Sequence, residues 1–153
     1  MKSYATHDVR AACDFIAKEE GCVLTAYRCP AGVLTIGYGH TGADVREGMS
    51  ITQAEAGELL SRDVSECVRG LARFVNVPVT EGQFIALTSL AFNVGVSYVT
   101  RHCPKLMRAL NAGDAEACAH EFLDIDRANG VKLPGLTRRR QSEARLFLGE
   151  AAP

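Results

Sequence analysis

Residues 20–41 read EGCVLTAYRCPAGVLTIGYGHT and contain two short runs that favour extended backbone. The runs at 23–27 and 33–36 are rich in β-branched and aromatic side chains, which fit the pleated surface of a sheet. Between them, Cys29-Pro30-Ala31-Gly32 has proline at the second position and glycine at the fourth position of a β-turn. Glycine then recurs too often for regular structure to continue. The segment predicts a β-hairpin followed by an irregular loop.

An amphipathic helix precedes this hairpin. Its apolar stripe consists of Val9, Ala12, Cys13 and Ile16. Spacings of three and four residues place these side chains on one helix face. We predict a helix that begins at Thr6, continues to about Glu20 and ends at Gly21.

Helical patterns also follow the hairpin. Thr52-x-x-Glu55 and Thr80-x-x-Gln83 are capping boxes, in which two side chains satisfy free backbone N–H groups at a helix start. The predicted helices are 52–75, 80–95, 104–111, one that begins at Asp114, and 137–148. The strands are segregated near the N-terminus, so the fold class is α+β. We expect a small hairpin lobe joined by the long helix to a helical lobe, with a cleft between them.

The composition limits the possible functions. The chain has 153 residues and a formal net charge of -1, which argues against a dedicated nucleic-acid binder. No segment approaches the roughly 20 apolar residues that span a bilayer. No apolar run of the secretory type follows Met1 either. We therefore expect no membrane insertion, and synthesis in the cytoplasm.

Six cysteines are present, but no C-x-x-C pair occurs. A zinc ribbon or a thioredoxin-like site is therefore disfavoured, and we expect neither a metal nor a cofactor. Cys67 and Cys118 occupy apolar positions of helical patterns. They are predicted to be small buried hydrophobic residues.

Glu20 is the first candidate for chemistry. It lies at the predicted end of the first helix, in phase with Val9, Cys13 and Ile16. An apolar setting and the negative end of the helix dipole both disfavour an ionised carboxylate. A carboxyl group that keeps its proton near neutral pH is suited to general acid catalysis. An exposed terminal glutamate is the alternative on periodicity alone.

The same stretch resembles the active-site segment of phage-type lysozymes (endolysins) of glycoside hydrolase family 24. The family signature is Glu, eight residues, Asp or Cys, five residues, then Thr, and Glu20, Cys29 and Thr35 fit it. Residues 37–40, GYGH, complete the motif. Residues 90–95 (LAFNVG), 110–114 (LNAGD) and 135–140 (GLTRRR, followed by Glu143 and Leu146) match other family stretches.

This resemblance covers residues 6–149 and implies a two-lobed lysozyme-like fold. It implies a single domain over 1–153, with a β-containing lobe at about 20–60 and a helical lobe at about 1–19 and 70–150. The implied reaction is hydrolysis of the β-1,4 bond between N-acetylmuramic acid and N-acetylglucosamine in bacterial peptidoglycan. Thr35 would orient the attacking water.

The resemblance also implies residues beyond the catalytic three. Thr41, Phe92, Asn93 and Arg139 are expected to bind substrate, and Arg139 is expected to steer muramyl peptide carboxylates. His40 is expected to hold the hairpin as a structural partner. The segment 101–104, RHCP, departs from the small polar run of the family.

The cysteine at position 29 stands where many relatives carry aspartate. An ordinary thiol, with a pKa near about 8.5, does not act as an ionised carboxylate does. Three roles are open for Cys29, namely a thiolate base for water, a nucleophile, and a neutral group that positions water. The separation of the acid and the base decides between inversion and retention, and the resemblance favours inversion.

Two other functions are compatible with these residues. The first is a peptidoglycan-binding module of the same fold without turnover, which the change at Cys29 favours. The second is a thiol hydrolase built on Cys29 and His40, which needs a third orienting group and an oxyanion site. A disulfide between Cys22 and Cys29 would silence the enzyme, although free thiols are expected in a reducing cytoplasm.

The resemblance further implies the setting in which the protein acts. The partner is bacterial peptidoglycan, reached from the host cytoplasm after release that depends on a phage holin. We expect a monomer.

Overall fold

The computed structural model describes residues 1–150, in which a helical lobe and a small β lobe are connected by a long helix. The helices are α1 (Val9–Glu20), α2 (Gln53–Ala72), α3 (Glu81–Val94), α4 (Val96–His102), α5 (Pro104–Asn111), α6 (Ala115–Phe122) and α7 (Pro134–Phe147). The strands are β1 (Val23–Arg28), β2 (Leu34–Gly37), β3 (His40–Thr41), β4 (Arg127–Ala128) and β5 (Val131–Lys132). The α+β prediction is confirmed.

The β lobe is an antiparallel meander of β1, β2 and β3 in that order. Tyr27 lies opposite Thr35, and Ile36 lies opposite His40. The predicted turn closes through the Gly32 N–H, which donates to the Cys29 carbonyl at 2.8 Å. Both predicted strands are confirmed within one residue at each end. The glycine-rich loop was predicted to be irregular, and it contains the two-residue β3.

The predicted start of α1 at Thr6 is wrong. Residues Tyr4–Thr6 form a separate 3-10 turn, in which the Thr6 hydroxyl donates to the Ser3 carbonyl. Asp8 caps α1 instead, since its carboxylate accepts the Arg10 N–H at 2.9 Å. Aspartate is among the strongest N-cap residues, while the Thr6 hydroxyl already has a partner.

The two capping boxes form as predicted at the starts of α2 and α3. However, α2 ends at Ala72, before the predicted limit near residue 75. The side chain of Asn111 explains this end. Its amide donates to the Phe74 carbonyl at 2.9 Å, and its oxygen accepts the Asn76 N–H at 2.7 Å. These bonds replace the partners that a further helical turn would supply.

Three features of the C-terminal half differ from the sequence prediction. The short helix α4 was not predicted, and neither was the hairpin of β4 and β5. The hairpin turns at Asn129-Gly130, where both residues have positive φ as a tight two-residue turn requires. Helix α7 begins at Pro134, three residues before Thr137. Proline suits the first turn of a helix because it lacks an N–H that would have no partner there.

Helix α3 forms the centre of the core, and each of its residues from 84 to 91 is buried. The largest apolar side chains packed in this core include Ile16, Val64, Leu71, Phe84, Leu87, Leu90, Leu106 and Phe122. Burying each side chain of this kind stabilises the fold by about 1.5–3 kcal/mol. Helix α2 packs against β2, α1 and α3, and so connects the two lobes. The end of α3 is therefore a fixed wall beside the β lobe.

Within residues 1–150, no single helix combines the length and the apolar composition that a bilayer crossing needs. Helices α3 and α4 meet the criterion only together, with a bend of 101° between them.

Candidate active site

Glu20 is the last residue of α1 and lies on the face that carries the fully buried Ala12 and Ile16. Its side chain is 20% exposed, and one carboxylate oxygen, Oε2, pairs with Nη1 of Arg139. The backbone of Gly39 lies against the other oxygen, Oε1. The phase of Glu20 is as predicted, but its surroundings are not simply apolar, because a guanidinium faces it from α7.

Arg139 is almost fully buried, with 6% of its side chain exposed. Its Nε and Nη2 donate to the Ser89 hydroxyl at 3.3 and 3.2 Å, and Nη2 also lies 3.4 Å from the Ser89 carbonyl. The guanidinium is therefore held between α1 and α3. The predicted steering of muramyl carboxylates by Arg139 is not supported by this geometry, because the cation is paired and covered.

Glu143 and Arg140 extend this group of charges into the core, and both are fully buried. The Glu143 carboxylate receives the Ser89 hydroxyl at 2.5 Å and Arg140 Nη2 at 3.1 Å, and it lies 3.5 Å from Arg139 Nε. Burial raises the pKa of Glu143, and the guanidinium of Arg140 opposes that shift. Two buried cations thus lie close to two carboxylates, which offsets the cost of removing each charge from water.

Cys29 and Thr35 meet at the turn between β1 and β2. Backbone N–H groups of Val33 and Ala31 lower the pKa of the Cys29 thiol, and the Thr35 side chain adds to this effect. Thr35 is buried, and its hydroxyl donates to the Val33 carbonyl at 2.9 Å. Donors aimed at sulfur stabilise the thiolate over the thiol. The structure therefore places two of the three predicted catalytic residues beside the same turn.

His40 connects β3 to α2 and to the following loop. Its Nδ1 lies 2.7 Å from Asp63 Oδ2, and its Nε2 lies 3.0 Å from Asp44 Oδ2. Burial alone lowers the pKa of His40, but hydrogen bonds to Asp63 and Asp44 raise it overall. Both ring nitrogens are occupied by carboxylates. The Cys29–His40 pair that a thiol hydrolase requires is therefore not formed.

A cavity of about 320 Å³ opens between the lobes beside these residues. Its lining comprises Gly39, Thr41, Asp63, Glu66, Cys67, Phe92 and Val96. Thr41 and Phe92, two of the predicted substrate-binding residues, thus lie on the same cavity, one from the β lobe and one from α3. Asn93 is half-buried next to Phe92. Within residues 1–150, its Oδ1 is one of the buried side-chain atoms that have no hydrogen-bond partner.

Sequence reasoning missed several residues of this site. Asp63 and Glu66 on α2 form part of the cavity wall, and their spacing gave no catalytic signal. Ser89 carried no motif at all. Cys67 was predicted to be a buried hydrophobic residue, but it is half-buried and lines the cavity. Burial raises the pKa of Cys67 to about 11, so its thiol stays protonated.

All six cysteines, which lie within the described residues, are free. The Cys22 sulfur lies 3.8 Å from the Gln53 amide rather than in a bond to Cys29, and its oxidation to a bridge stays a prediction. Cys118 is fully buried, as predicted. Residues 1–150 contain no group of three or more His, Cys, Asp or Glu side chains that is able to hold a metal ion.

A two-lobed α+β fold with a carboxyl group at the end of its first helix, beside a cleft, defines the lysozyme class. The chain belongs to the phage lysozyme family, whose profile matches residues 17–143. It is 40% identical over 136 residues to the endolysin of Acyrthosiphon pisum secondary endosymbiont phage 1, covering 86% of this chain and 91% of that one.

Two further comparisons agree with this assignment. The endolysin of Bacillus phage B103 is 38% identical over 91% of this chain, which spans only 53% of that longer protein. The solved structure of the endolysin from Escherichia coli O157:H7 phage FAHEc1 superposes with a TM-score of 0.87 and 32% sequence identity. The match covers 97% of this chain and 98% of that one. The protein is therefore a lysozyme-type glycoside hydrolase that acts on peptidoglycan.

Proposed function

We propose that the enzyme hydrolyses the β-1,4 bond between N-acetylmuramic acid and N-acetylglucosamine, with Glu20 as the general acid. The observation that carries this proposal is the placement of the Glu20 carboxyl group. It lies between the lobes, fixed by Arg139 on one side and Gly39 on the other, and it retains a 20% exposed surface. A fixed and partly accessible carboxyl group can meet a glycosidic oxygen in a reproducible geometry.

The proton on Glu20 has to reach the leaving-group oxygen in this mechanism. A glycan strand in the cleft removes water from the exposed part of the carboxyl group, and desolvation favours the protonated form. We therefore infer that substrate binding itself prepares Glu20 as the acid, while Arg139 stabilises the carboxylate that remains after proton transfer.

Cys29 activates the water that attacks the sugar carbon in this mechanism. Of the three roles that the sequence leaves open, we propose the thiolate base, because backbone N–H groups of Val33 and Ala31 stabilise the negative sulfur. Thr35 then shares the attacking water with Cys29. The thiolate accepts the proton of that water as the oxygen bonds to the sugar carbon. Attack from the face opposite Glu20 inverts the configuration.

Substrate contacts are assigned to the cavity between the lobes. We propose that the Phe92 ring packs against the apolar face of a sugar, and that Thr41 and Asn93 bond to its polar groups. The partnerless Oδ1 of Asn93 supports its part in this role, because a buried acceptor without a donor gains free energy when a ligand supplies one. His40 supports the wall by tying β3 to α2.

The test is product analysis on purified peptidoglycan with wild type, Glu20→Gln and Glu19→Gln. Glu19 is the neighbouring exposed residue of α1 and serves as the matched control. Removing a general acid costs at least about 10²-fold in rate. We expect Glu20→Gln to lose the release of muramic acid reducing ends, and Glu19→Gln to keep it. Binding without release by wild type would indicate the binding-module function instead.

Delivery to the wall and the oligomeric state stay predictions from the resemblance. We propose that the protein acts as a monomer, is made in the host cytoplasm, and reaches the wall with the help of a holin. Expression with and without a holin, followed by a lysis assay, tests the delivery step. Lysis at the same time in both cultures would contradict it.

A further inference from the structure

Ser89 joins Arg139, which holds Glu20, to the buried Glu143, which has no part in the proposed reaction. A hydroxyl group carries one proton and two lone pairs, whereas a guanidinium only donates. Ser89 therefore accepts from Nε and Nη2 of Arg139, at 3.3 and 3.2 Å, and its one proton goes to Glu143 Oε2 at 2.5 Å. The direction of each hydrogen bond in this chain is thus determined by chemistry.

Glu143 does not need Ser89 for charge compensation. Arg140, which is also fully buried, donates Nη2 to the same carboxylate oxygen at 3.1 Å, and its Nε lies 2.5 Å from Oε1. The bond from Ser89 is therefore additional to a carboxylate that is already paired. Its effect falls on the hydroxyl, whose rotation about the Cβ–Oγ bond is fixed by the acceptor.

We propose that Ser89 and Glu143 are positioning residues for glycoside hydrolysis. Glu143 orients the Ser89 hydroxyl, the hydroxyl fixes the plane of the Arg139 guanidinium, and the guanidinium places the Glu20 carboxyl group. This inference rests on the proposed role of Glu20 as the general acid. It assigns a function in turnover to a buried group more than one side chain away from the cleft.

The charged groups around the hydrogen bonds that link Glu143 to Glu20 come from two helices. Arg139, Arg140 and Glu143 lie on α7, and Glu20 ends α1. The charge of exposed Glu19, also on α1, acts on Arg140. Helix α3 contributes the uncharged Ser89. A change in pH dependence on altering Glu143 therefore has to pass through Arg139, because Arg139 lies between Glu143 and Glu20.

The first experiment compares Ser89→Ala with Thr88→Val. Thr88 is the adjacent, fully buried residue of α3, and its hydroxyl bonds to Tyr4 at 2.7 Å instead of to the charged group. Both variants lose one buried hydroxyl, so both lose stability. With soluble glycan oligomers as substrate, we expect Ser89→Ala to lower kcat by about tenfold or more, since small misplacements of reacting groups have effects of that size. KM should stay within about twofold of wild type, and Thr88→Val should keep the wild-type kcat.

The second experiment compares Glu143→Gln with Asp126→Asn. Asp126 is also buried, but it accepts from Thr137 rather than Ser89. Without the Glu143 charge, Arg139 is shared with one carboxylate fewer and stabilises ionised Glu20 more strongly. We expect the alkaline limb of the kcat/KM profile to move to lower pH in Glu143→Gln and to stay in place in Asp126→Asn. The double variant of Ser89 and Glu143 should be no slower than the slower single variant, because both residues act through the Arg139 guanidinium.

The outcomes distinguish a failure of the positioning role of Ser89 from a failure of Glu20 as the general acid. If Ser89→Ala is less stable but keeps the wild-type kcat and pH profile, the positioning role is wrong and the hydrogen bonds of Ser89 are only structural. Ser89→Ala also decides the matter alone if Glu143→Gln does not fold. If Glu20→Gln keeps turnover in the same assay, the proposed general acid is wrong. An inactive Glu20→Gln beside a fully active Ser89→Ala overturns the positioning inference alone.

Discussion

Gly39 and Glu20 approach each other so closely that a Cβ atom at position 39 would lie 2.9 Å from Oε1 of Glu20. Gly39 lies between β2 and β3, and Glu20 ends α1, so this contact sets the distance between the β lobe and α1. The carboxyl group has little freedom to retreat, because its other oxygen pairs with Arg139. The second glycine of the GYGH motif thus acts as a spacer for the proposed general acid.

The first prediction concerns Gly39→Ala. Alanine at φ +76 is strained by about 1–3 kcal/mol, and its methyl group displaces the Glu20 carboxyl group. We expect a loss of kcat of about tenfold or more, together with a lower free energy of unfolding. Turnover of glycan oligomers and urea unfolding measure the two effects.

Gly48→Ala is the matched control for backbone strain. Gly48 has nearly the same φ, +77, but a Cβ atom there meets nothing within 4 Å. We expect a similar loss of stability with unchanged kcat. Equal loss of kcat in the two variants would show that strain, and not contact with Glu20, affects the reaction.

The second prediction concerns the reactivity of Cys29. Its thiol has a lowered pKa, whereas burial raises the pKa of Cys67 to about 11 and that of Cys118 to about 12. We expect iodoacetamide to modify Cys29 ahead of these two below pH 8, and activity to fall in proportion to that modification. Peptide mass spectrometry follows each site.

Substitutions at position 29 test what the thiolate contributes. Cys29→Asp keeps a negative group at this position and should retain activity, while Cys29→Ala should lose it by about 10²-fold, the usual effect of removing a general base. An active Cys29→Ala variant would contradict the base role and leave Thr35 as the residue that positions water. Wild type whose activity survives full alkylation of Cys29 would contradict it as well.

The third prediction is a pH dependence of stability that arises at His40. The folded-state pKa of His40 is raised by Asp63 and Asp44 against the opposing effect of burial. A raised pKa means that the folded protein holds the proton more tightly, so the stabilisation is complete below the unfolded value near 6.5. It is lost as pH rises through the folded pKa.

The measurement is the difference in Tm between wild type and His40→Asn from pH 5 to 9. We expect the largest difference at the acidic end and a steady decline above about pH 6.5. Arg28→Ala, which breaks the exposed pair with Glu47, is the control and should give a difference that does not vary over this range. A difference for His40→Asn that grows with pH would contradict the assigned direction.

Local chemistry explains which elements were predictable from the sequence. The capping boxes at Thr52 and Thr80 satisfy backbone groups within four residues, so their helices were located correctly. The same holds for the turn after Cys29. The end of α2 was misplaced because the hydrogen bonds that end it come from Asn111, in a distant part of the sequence. The hairpin at Asn129 was missed because its strands are only two residues long.

The site shows the same division. Glu20, Cys29 and Thr35 were singled out as candidates because they lie on one local motif, and the hairpin alone brings Thr35 near Cys29. The contact of Glu20 with Arg139 joins positions 119 residues apart. No local pattern shows that Arg139 is covered, which is why the sequence suggested that it reaches muramyl carboxylates. Ser89 reaches Arg139 and Glu143 only because α3 and α7 pack together, and no local pattern in the sequence shows that packing.

The fourth prediction tests that packing at Gly82, near the start of α3. A Cβ atom there would clash with the Leu146 carbonyl oxygen on α7, a backbone atom that does not move easily. Gly82→Ala must therefore push α7 away from α3, at a cost of about 1–3 kcal/mol or more. Because α7 carries Arg139, we expect activity to fall along with the free energy of unfolding.

Gly57→Ala is the matched control in another helix, and we expect it to raise stability rather than lower it. Gly57 lies inside α2, and a Cβ atom there meets nothing within 4 Å. Alanine is favoured over glycine in a helix by about 0.5–1 kcal/mol, so this variant should be more stable than wild type and fully active. Urea unfolding of both variants, with kcat measured in parallel, makes the comparison. If Gly82→Ala also proves to be as stable as wild type, the close approach of α3 and α7 is not what holds Arg139 against Ser89.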